Sequence, residues 1–291
     1  MSATLTMGAP ALRDEEFRVH YLADLLRRAR TRAPITHTTT HPLTHTTTIP
    51  AICEDAQPGT ASLTQEETAA LLRTTERRYR EFEHGRILHP DPRFLDQVGR
   101  VLGMTPAERC VLTLLAARRP PARAGEPTTR PEPDVAGIQA LLDGLGAAPA
   151  LVTDLAWNVL AWNRSVAENL QDPGQLPEDQ RNAMLWMFSP MASALFPGIE
   201  DEYPTLVGRV RLAYLASGGR NSALRQLVEA LVAIPQAAQY WNAGVLALDP
   251  VYQPQLLVRR NQQHPGQVRT LCTVVPQQGL RVTQFVPDLG T

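Results

Sequence analysis

The sequence predicts two domains of different fold class: a mainly α-helical domain, then an α+β domain with an antiparallel sheet. Three observations predict this division. Before residue 119, apolar residues recur at helical spacing behind helix-capping residues. Residues 119–134 contain five prolines, which favour a semi-extended linker. After the linker, strand-like segments stand on both sides of a run of helical segments. We therefore expect domains at 1–118 and 135–291.

The composition limits the class of protein. A chain of 291 residues is long for a single core, and 43% hydrophobic with 20% charged residues is typical of soluble globular proteins. No apolar run approaches the roughly 20 residues that span a bilayer, and the start lacks the pattern of a secretory signal. The three cysteines lie far apart. We expect a cytoplasmic protein without a membrane segment or a disulfide framework.

The positive charge is carried by arginine alone. The net charge is −1 and the sequence contains no lysine. Arginine suits phosphates and guanine edges. A biased genome composition explains an all-arginine chain equally well, so the charge pattern by itself does not indicate a nucleic-acid partner.

Five helices are predicted before the linker. The first carries an apolar stripe that ends at Ala29. Two others start with capping boxes, which are formed by Thr64 with Glu67 and by Thr105 with Glu108. The remaining two cover the segments "TTERRYREFEHG" and "DPRFLDQVGRVLG".

After the linker, "ALVTDLAWNVLAW" predicts two strands around a tight turn near Trp157, and a helix is expected from Asn163 onward. Further helical stretches are expected around 181–195, 204–217, 221–233 and 236–243. The end predicts three strands, in "QPQLLVRR", "QVRTLCTVV" and "GLRVTQFV". Strands at both ends of the domain predict an α+β fold around an antiparallel sheet.

The stretch "THTTTHPLTHTTTIP" (36–50) places His37, His41 and His45 at intervals of four residues. That spacing is one in which helices present zinc ligands. The threonines between them are poor helix formers, and Pro42 interrupts the middle. We therefore predict no metal site, and interpret the stretch as part of a long low-complexity insertion at about 31–62.

Residues 64–85 have the proportions of two short helices joined by a turn at Arg73 and Thr74. Tyr79 and Phe82 would hold the second helix on the core, so that its charged side chains face outward. In a helix–turn–helix motif the second helix enters the major groove, where arginine binds guanine and glutamate accepts from cytosine. The alternative is an ordinary helical hairpin with a solvated charged face.

"LTQEETAALLRTTERRYREFEHGR" resembles the helix–turn–helix core of the xenobiotic-response-element (XRE) family of bacterial regulators. In that family Arg73 is usually a glycine, which is the one departure in the turn. The resemblance implies double-stranded operator DNA as a partner and a homodimer that spans two half-sites. The DNA-binding positions that it implies are Gln65, Thr75, Glu76, Arg77, Arg78, Glu81 and Arg86.

The second half, with "LVTDLAWNVLAWNRSVAENL", "RNAMLWMFSP" and the "HPG" turn near the end, is similar to MmyB-like regulators. The resemblance implies a PAS-like domain that binds a small hydrophobic, fatty-acid-like ligand, and an insertion after the first helix. Arg209 and Arg211 do not share a helix face, so at most one points inward. The candidate ligand-binding residues are Trp157, Trp162, Asn163, Trp186, Phe188, Arg209 and Trp241.

Purely structural roles remain open for these candidate ligand-binding residues, because tryptophan is often a core residue and Asn163 suits a helix N-cap. No catalytic motif is present, so we predict neither an enzyme nor a cofactor. An alternative function is a DNA-binding activator whose second domain serves only dimerisation or protein interaction. The operator, the ligand and the sign of regulation do not follow from the sequence.

Overall fold

The computed structural model describes residues 14–33, 62–87, 90–116, 134–248, 252–257, 266–275 and 279–287. The chain divides into two compact units, Glu15–Arg118 and the chain from Arg119 onward. The segment 36–50, with its histidines, and nearly all of the predicted linker lie outside the described residues.

The described part of the first unit consists of the five helices that the sequence predicts. They are α1 (Asp14–Arg32), α2 (Gln65–Leu71), α3 (Glu76–Glu83), α4 (Pro92–Val101) and α5 (Pro106–Ala116). The apolar stripe of α1 is buried, because Leu22, Leu26 and Ala29 are at most 1% exposed. Tyr79 of α3 and Val111 of α5 are buried to the same degree, as expected of helices that share an apolar core.

Both predicted capping boxes are formed. Thr64 accepts a hydrogen bond from the N–H of Glu67 at 3.1 Å, and the Glu67 carboxylate accepts one from the N–H of Thr64 at 2.7 Å. Thr105 and Glu108 make the same reciprocal pair at the start of α5. Each box satisfies two backbone donors that a helix start otherwise leaves unpaired. The sequence therefore fixes where α2 and α5 begin.

The second unit begins with a helix, and its strands then stand on both sides of a run of further helices. The strands are β1 (Ala150–Asp154), β2 (Val159–Trp162), β3 (Tyr252–Leu257), β4 (Gly266–Val275) and β5 (Leu280–Pro287). The helices are α6 (Val135–Gly144), α7 (Arg164–Asn169), α8 (Ala183–Trp186), α9 (Pro190–Leu195), α10 (Tyr203–Ala216), α11 (Ser222–Val232) and α12 (Pro235–Asn242). Short 3-10 turns lie at Pro173–Gln175, Glu178–Gln180 and Ile199–Glu202.

The five strands form one antiparallel sheet in the order β2-β1-β5-β4-β3. The centre of this sheet joins the two ends of the domain, because β1 pairs with β5 from Ala150 opposite Gln284 to Asp154 opposite Leu280. The α+β class and the antiparallel sheet predicted from the sequence are thus confirmed.

The sheet separates two apolar layers. On one face, Leu142 of α6 packs with Val152, Ala161 and Leu280. On the other face lies the larger core, built from the helices between β2 and β3 together with Phe285 of β5. Alternation along each strand sends successive side chains to opposite layers. The helices that surround the candidate cavity described below belong to the larger core.

Two elements differ from the prediction. The single helical stretch expected around 181–195 is split into α8 and α9, because Pro190 cannot continue a helix and Ser189 caps a new one through the N–H of Ala192 at 3.2 Å. Helix α6 is an addition, since its short glycine-containing sequence carries little periodic signal. No helix in the described part of the chain is long and apolar enough to cross a membrane.

Candidate functional site

The turn between α2 and α3 has a left-handed backbone at Arg73, with φ of 52°. The N–H of Arg73 bonds the carbonyl of Ala70 at 3.0 Å, and that of Thr74 bonds the carbonyl of Ala69 at 2.9 Å. Ala69 is 2% exposed. The conformation is one that glycine adopts without strain, so this arginine keeps the turn of the motif at a cost in backbone energy.

Helix α3 is anchored by its inner face. Thr75 caps its start by accepting a hydrogen bond from the N–H of Arg78 at 3.2 Å. Tyr79 and Phe82 are buried, and the Phe82 ring stands edge-on to Phe94 with centroids 5.0 Å apart. This packing fixes the orientation of α3, so that the charged side chains predicted to face outward do so: Glu76, Arg77, Arg78, Arg80 and Glu81.

The outward side chains of α3 pair mostly with one another. Arg77 bonds Glu81 at 3.2 Å, and Arg80 pairs with Glu76. Arg80 also reaches Gln65, the first residue of α2, at 3.4 Å. Among the described residues, the side chain of Arg78 has neither an ion pair nor a hydrogen bond. Helix α3 therefore presents one arginine whose donors are not already used within the described fold.

Arg80 is absent from the DNA-binding positions predicted through the family resemblance. Its contact with Gln65 places it between the starts of the two motif helices. Its spacing from Glu76 and Arg77 is the only sequence signal that puts it on the outward face.

The end of α3 is closed by Gly85, with φ of 69°. The N–H of Gly85 bonds the carbonyl of Phe82 at 2.9 Å, and the N–H of Arg86 bonds that of Glu81 at 2.8 Å. This pattern is a glycine-terminated helix end. Arg86 directly follows the turn and is exposed.

A buried ion pair joins the inner face of α3 to α1. Arg30, near the end of α1, contacts Glu83 at 3.5 Å and donates to the carbonyl of Leu63 at 2.6 Å. The Tyr79 hydroxyl lies beside this pair, but no described atom bonds it within ordinary hydrogen-bond geometry. Burial, and next the charge of Glu83, raise the pKa of the Tyr79 hydroxyl well above its ordinary value. Ionisation of this hydroxyl is therefore even less favourable than that of an exposed tyrosine.

The second unit contains a cavity of about 50 Å³ between β1, β2, α7, α8 and the segment that joins α7 to α8. Its walls are mainly apolar, with polar groups supplied by two glutamines, one arginine and one asparagine. The lining residues are Leu151, Val159, Val166, Leu170, Gln171, Pro173, Leu176, Gln180, Arg181, Asn182, Ala183 and Trp186. An apolar wall with few polar groups is the usual composition of a small-molecule site.

The arginine of this cavity, Arg181, is held from two sides. Its Nε donates to the carbonyl of Leu176 at 3.0 Å, and its guanidinium carbon lies 5.8 Å from the centre of the Trp162 ring. Within the described part of the chain, no protein acceptor bonds its two terminal NH₂ groups. The cavity thus has a fixed cation with donors left for an anionic group.

A polar network attaches the wall of the cavity to the turn between β1 and β2. The Asp154 carboxylate accepts hydrogen bonds from the N–H and the side-chain amide of Asn158, both at 2.9 Å. Asn182 donates to Asn158 at 2.9 Å and to the carbonyl of Ala156 at 2.8 Å. Its own side-chain oxygen accepts from the first N–H groups of α8. The position of α8 therefore depends on this turn.

Among the seven predicted ligand-binding residues, Trp186 lines the cavity, and its indole N–H donates to Gln171 at 2.5 Å. Trp162 stands behind Arg181. Asn163 caps α7 through the N–H of Val166 at 3.2 Å and also accepts from the N–H of Ala150.

The other four lie away from the cavity walls. Trp157 is 4% exposed in the core, and its ring stacks on Arg281 at 4.0 Å. Phe188 packs on Tyr203 with centroids 4.4 Å apart. Arg209 is half-exposed, whereas the other arginine of α10 is buried.

That buried arginine is Arg211. It donates to the carbonyl of Trp241 at 2.7 Å and lies 5.0 Å from the Trp241 ring centre. Trp241 itself is 9% exposed and belongs to the larger core. The structure thus brings Trp162 and Trp186 to the cavity region and leaves Trp157, Phe188, Arg209 and Trp241 elsewhere in the unit.

The described ranges contain no group of three or more histidine, cysteine, aspartate or glutamate side chains able to hold a metal ion. The histidines of 36–50 lie outside those ranges. The prediction made for them therefore stays a prediction.

The helix–turn–helix geometry in one unit and the apolar cavity in the other are the features of a ligand-responsive, DNA-binding transcription regulator. Residues 21–112 match a family described as a helix-turn-helix domain. Residues 135–276 match the MmyB-like transcription regulator ligand binding domain. The chain thus carries the two domains of an MmyB-like helix–turn–helix transcription regulator. No curated protein matches the chain.

Proposed function

We propose that this regulator binds a specific operator as a homodimer, with α3 in the major groove. The observation that carries the proposal is the outward face of α3, where Arg78 has no partner among the described residues. Two N–H donors of one guanidinium match O6 and N7 of guanine. A two-fold dimer suits half-sites one helical turn apart. Because operator DNA is the proposed target, we also propose a cytoplasmic location.

An experiment on α3 starts from the full chain and a random pool of duplex DNA, from which the bound sequence is selected. We expect Arg78→Ala to weaken binding to that operator about 10- to 100-fold, because a bidentate base contact contributes roughly 1–3 kcal/mol of discrimination. Gel-shift titration measures the effect. The matched control is Arg100→Ala, which removes an exposed arginine paired with Asp96 on α4.

Arg77→Ala is a second informative variant, since Arg77 is the neighbouring exposed arginine and its Nε is paired with Glu81. If sequence-specific binding is unchanged in both Arg77→Ala and Arg78→Ala, α3 is not the helix that contacts the bases. An unchanged Arg100→Ala affinity together with a weakened Arg78→Ala affinity supports the assignment.

For the second unit we propose a fatty-acid-like ligand whose tail enters the cavity beside α7 and α8 and whose carboxylate meets Arg181. The apolar walls suit a hydrocarbon tail, and the terminal donors of Arg181 suit a carboxylate. The cavity volume of about 50 Å³ is well below the roughly 300–1,000 Å³ of typical ligand pockets. A long tail therefore requires the walls to open, and the Trp186 side chain is held there by a hydrogen bond to Gln171 and by edge-on packing on Phe196.

This ligand proposal is tested with dodecanoate and dodecanol as probes, which share a tail and differ in charge. We expect Arg181→Gln to weaken dodecanoate binding about ten-fold and to leave dodecanol nearly unchanged, because a hydrogen bond to a charged group contributes roughly 1.5–3 kcal/mol. Calorimetric titration gives both affinities. The control is Arg164→Gln on α7, an exposed arginine that pairs with Glu168.

The burial of Trp157 and Trp241 in the core favours a second candidate function, in which this unit serves dimerisation or protein interaction only. Native mass spectrometry of the purified protein separates the two. A copurified lipid-like mass supports the ligand proposal. A dimer without such a mass, together with no binding of either probe, supports the second candidate.

A further inference from the structure

Arg18 of α1 is a buried charged side chain, with 8% of its surface exposed. It makes hydrogen bonds in three directions. One terminal nitrogen donates to the carbonyl of Gly85 at 2.7 Å and the other to the carbonyl of Leu115 at 3.2 Å. The Glu15 carboxylate takes two further bonds, at 2.7 and 3.3 Å. One guanidinium thus joins α1, the turn after α3 and the last turn of α5.

The turn that Arg18 holds has little freedom of its own. At Gly85, with φ of +69°, an added Cβ would lie 2.9 Å from the Val19 side chain, so α1 packs directly against the glycine. The N–H groups of Gly85 and Arg86 are both bonded to carbonyls of α3. The peptide unit between Gly85 and Arg86 is therefore fixed through its N–H by α3 and through its carbonyl by Arg18.

We infer that Arg18 is a positioning residue for a phosphate contact made by Arg86. The inference rests on the proposed DNA-binding function. Arg86 is exposed and immediately follows the fixed peptide, whereas Arg18 is too buried to reach DNA. Without Arg18, the buried Gly85 carbonyl loses its donor, and the peptide turns to find another partner. That rotation displaces the Arg86 side chain from the phosphate.

The test uses the full chain and its selected operator, with affinity measured as a function of salt concentration. Each phosphate contact contributes about 0.9 to the slope of log affinity against log salt. We expect Arg86→Gln to reduce the slope by about 0.9 and the affinity about three-fold or more. Arg18→Gln should give nearly the same reduction. The double variant should resemble either single variant, because both changes remove one contact.

Val19→Ala is the matched control, since it loosens the packing of α1 on Gly85 and leaves the hydrogen bond in place. It should lower the melting temperature and leave the salt slope at the wild-type value. Arg18→Lys, which keeps a charge but reaches fewer carbonyls, should give an intermediate slope. It also keeps the inference testable where Arg18→Gln does not fold.

A wild-type slope in folded Arg18→Gln or Arg18→Lys, alongside a reduced slope in Arg86→Gln, overturns the inference and leaves the DNA-binding proposal intact. Additive effects in the double variant also overturn it, because Arg18 would then act independently of Arg86. A wild-type slope in the Arg86→Gln variant would show that Arg86 makes no phosphate contact, and this result also overturns the inference. Failure of the wild-type chain to select any DNA sequence overturns the proposed function itself.

Discussion

Single backbone positions determine how the motif helices meet, and Arg73 is the clearest of them. Its φ of 52° is left-handed, a conformation that costs an ordinary residue roughly 1–2 kcal/mol. The surrounding hydrogen bonds at Arg73 and Thr74 hold the turn nevertheless. The arginine at this position, where the XRE family usually has glycine, thus lowers the stability of the unit but leaves the conformation of the turn unchanged.

Replacing this residue should make the first unit more stable. We expect Arg73→Gly to raise the free energy of unfolding by up to about 1 kcal/mol, after the greater entropy of glycine in the unfolded chain is subtracted. Thermal denaturation of the full chain, followed through the transition of this unit, measures the change. A lower melting temperature would show that the arginine side chain contributes more than the strain costs.

Among the elements, α8 depends most on contacts distant in sequence. Its start is capped by Asn182, which also bonds Asn158 and the carbonyl of Ala156. Local capping signals predicted several other helices well, such as α2 and α5. Nothing local in the sequence indicates the bonds of Asn182 to the β1–β2 turn, because they join positions about 25 residues apart.

This difference predicts unequal effects for two asparagine caps. Asn182→Ala should destabilise the second unit by roughly 2–3 kcal/mol, since it removes the cap and leaves the carbonyl of Ala156 without its donor. Asn221→Ala should cost about 1 kcal/mol, since Asn221 caps α11 through one bond to Leu224. Chemical denaturation of both variants gives the comparison. Equal losses would mean that the network around Asn182 adds nothing beyond its cap.

The lining of the cavity could be predicted from the sequence only in part. Aromatic residues were the natural candidates for its walls, and Trp186 lies there. The remaining walls come from aliphatic residues such as Leu170 and from Arg181, which sits between short turns without a periodic pattern. Which side chains share a cavity depends on how β1, β2, α7 and α8 are arranged, and no local pattern encodes that arrangement.

At the scale of the whole molecule, the division into a helical part and an α+β part followed from periodicity and from strands at both ends of the second part. The pairing of β1 with β5 closes that second unit across more than 120 residues. The sequence indicates each strand but not the order of the sheet, since pairing depends on packing between distant segments.

The insertion predicted between α1 and α2 leads to a prediction for the whole chain. Arg30 bonds the carbonyl of Leu63, so residues on both sides of the insertion are held together by the fold itself. Deleting 36–50 should therefore leave folding intact and raise stability by about 0.6 kcal/mol, because roughly halving a closed segment lowers its closure entropy by that amount. Calorimetry is the measurement. Loss of the unfolding transition of the first unit would show that residues 36–50 contribute to its core.

The bond from Arg18 to the carbonyl of Leu115 has a consequence for communication along the chain. Leu115 lies in the last turn of α5, after which the sequence continues toward the ligand-binding unit. The same guanidinium also donates to the carbonyl of Gly85. A movement of the end of α5 and a movement of the turn beside Arg86 are therefore connected through the Arg18 side chain. Thermodynamic coupling is reciprocal. An operator that favours one position of the Gly85 turn would therefore favour the matching position of the end of α5 by the same free energy.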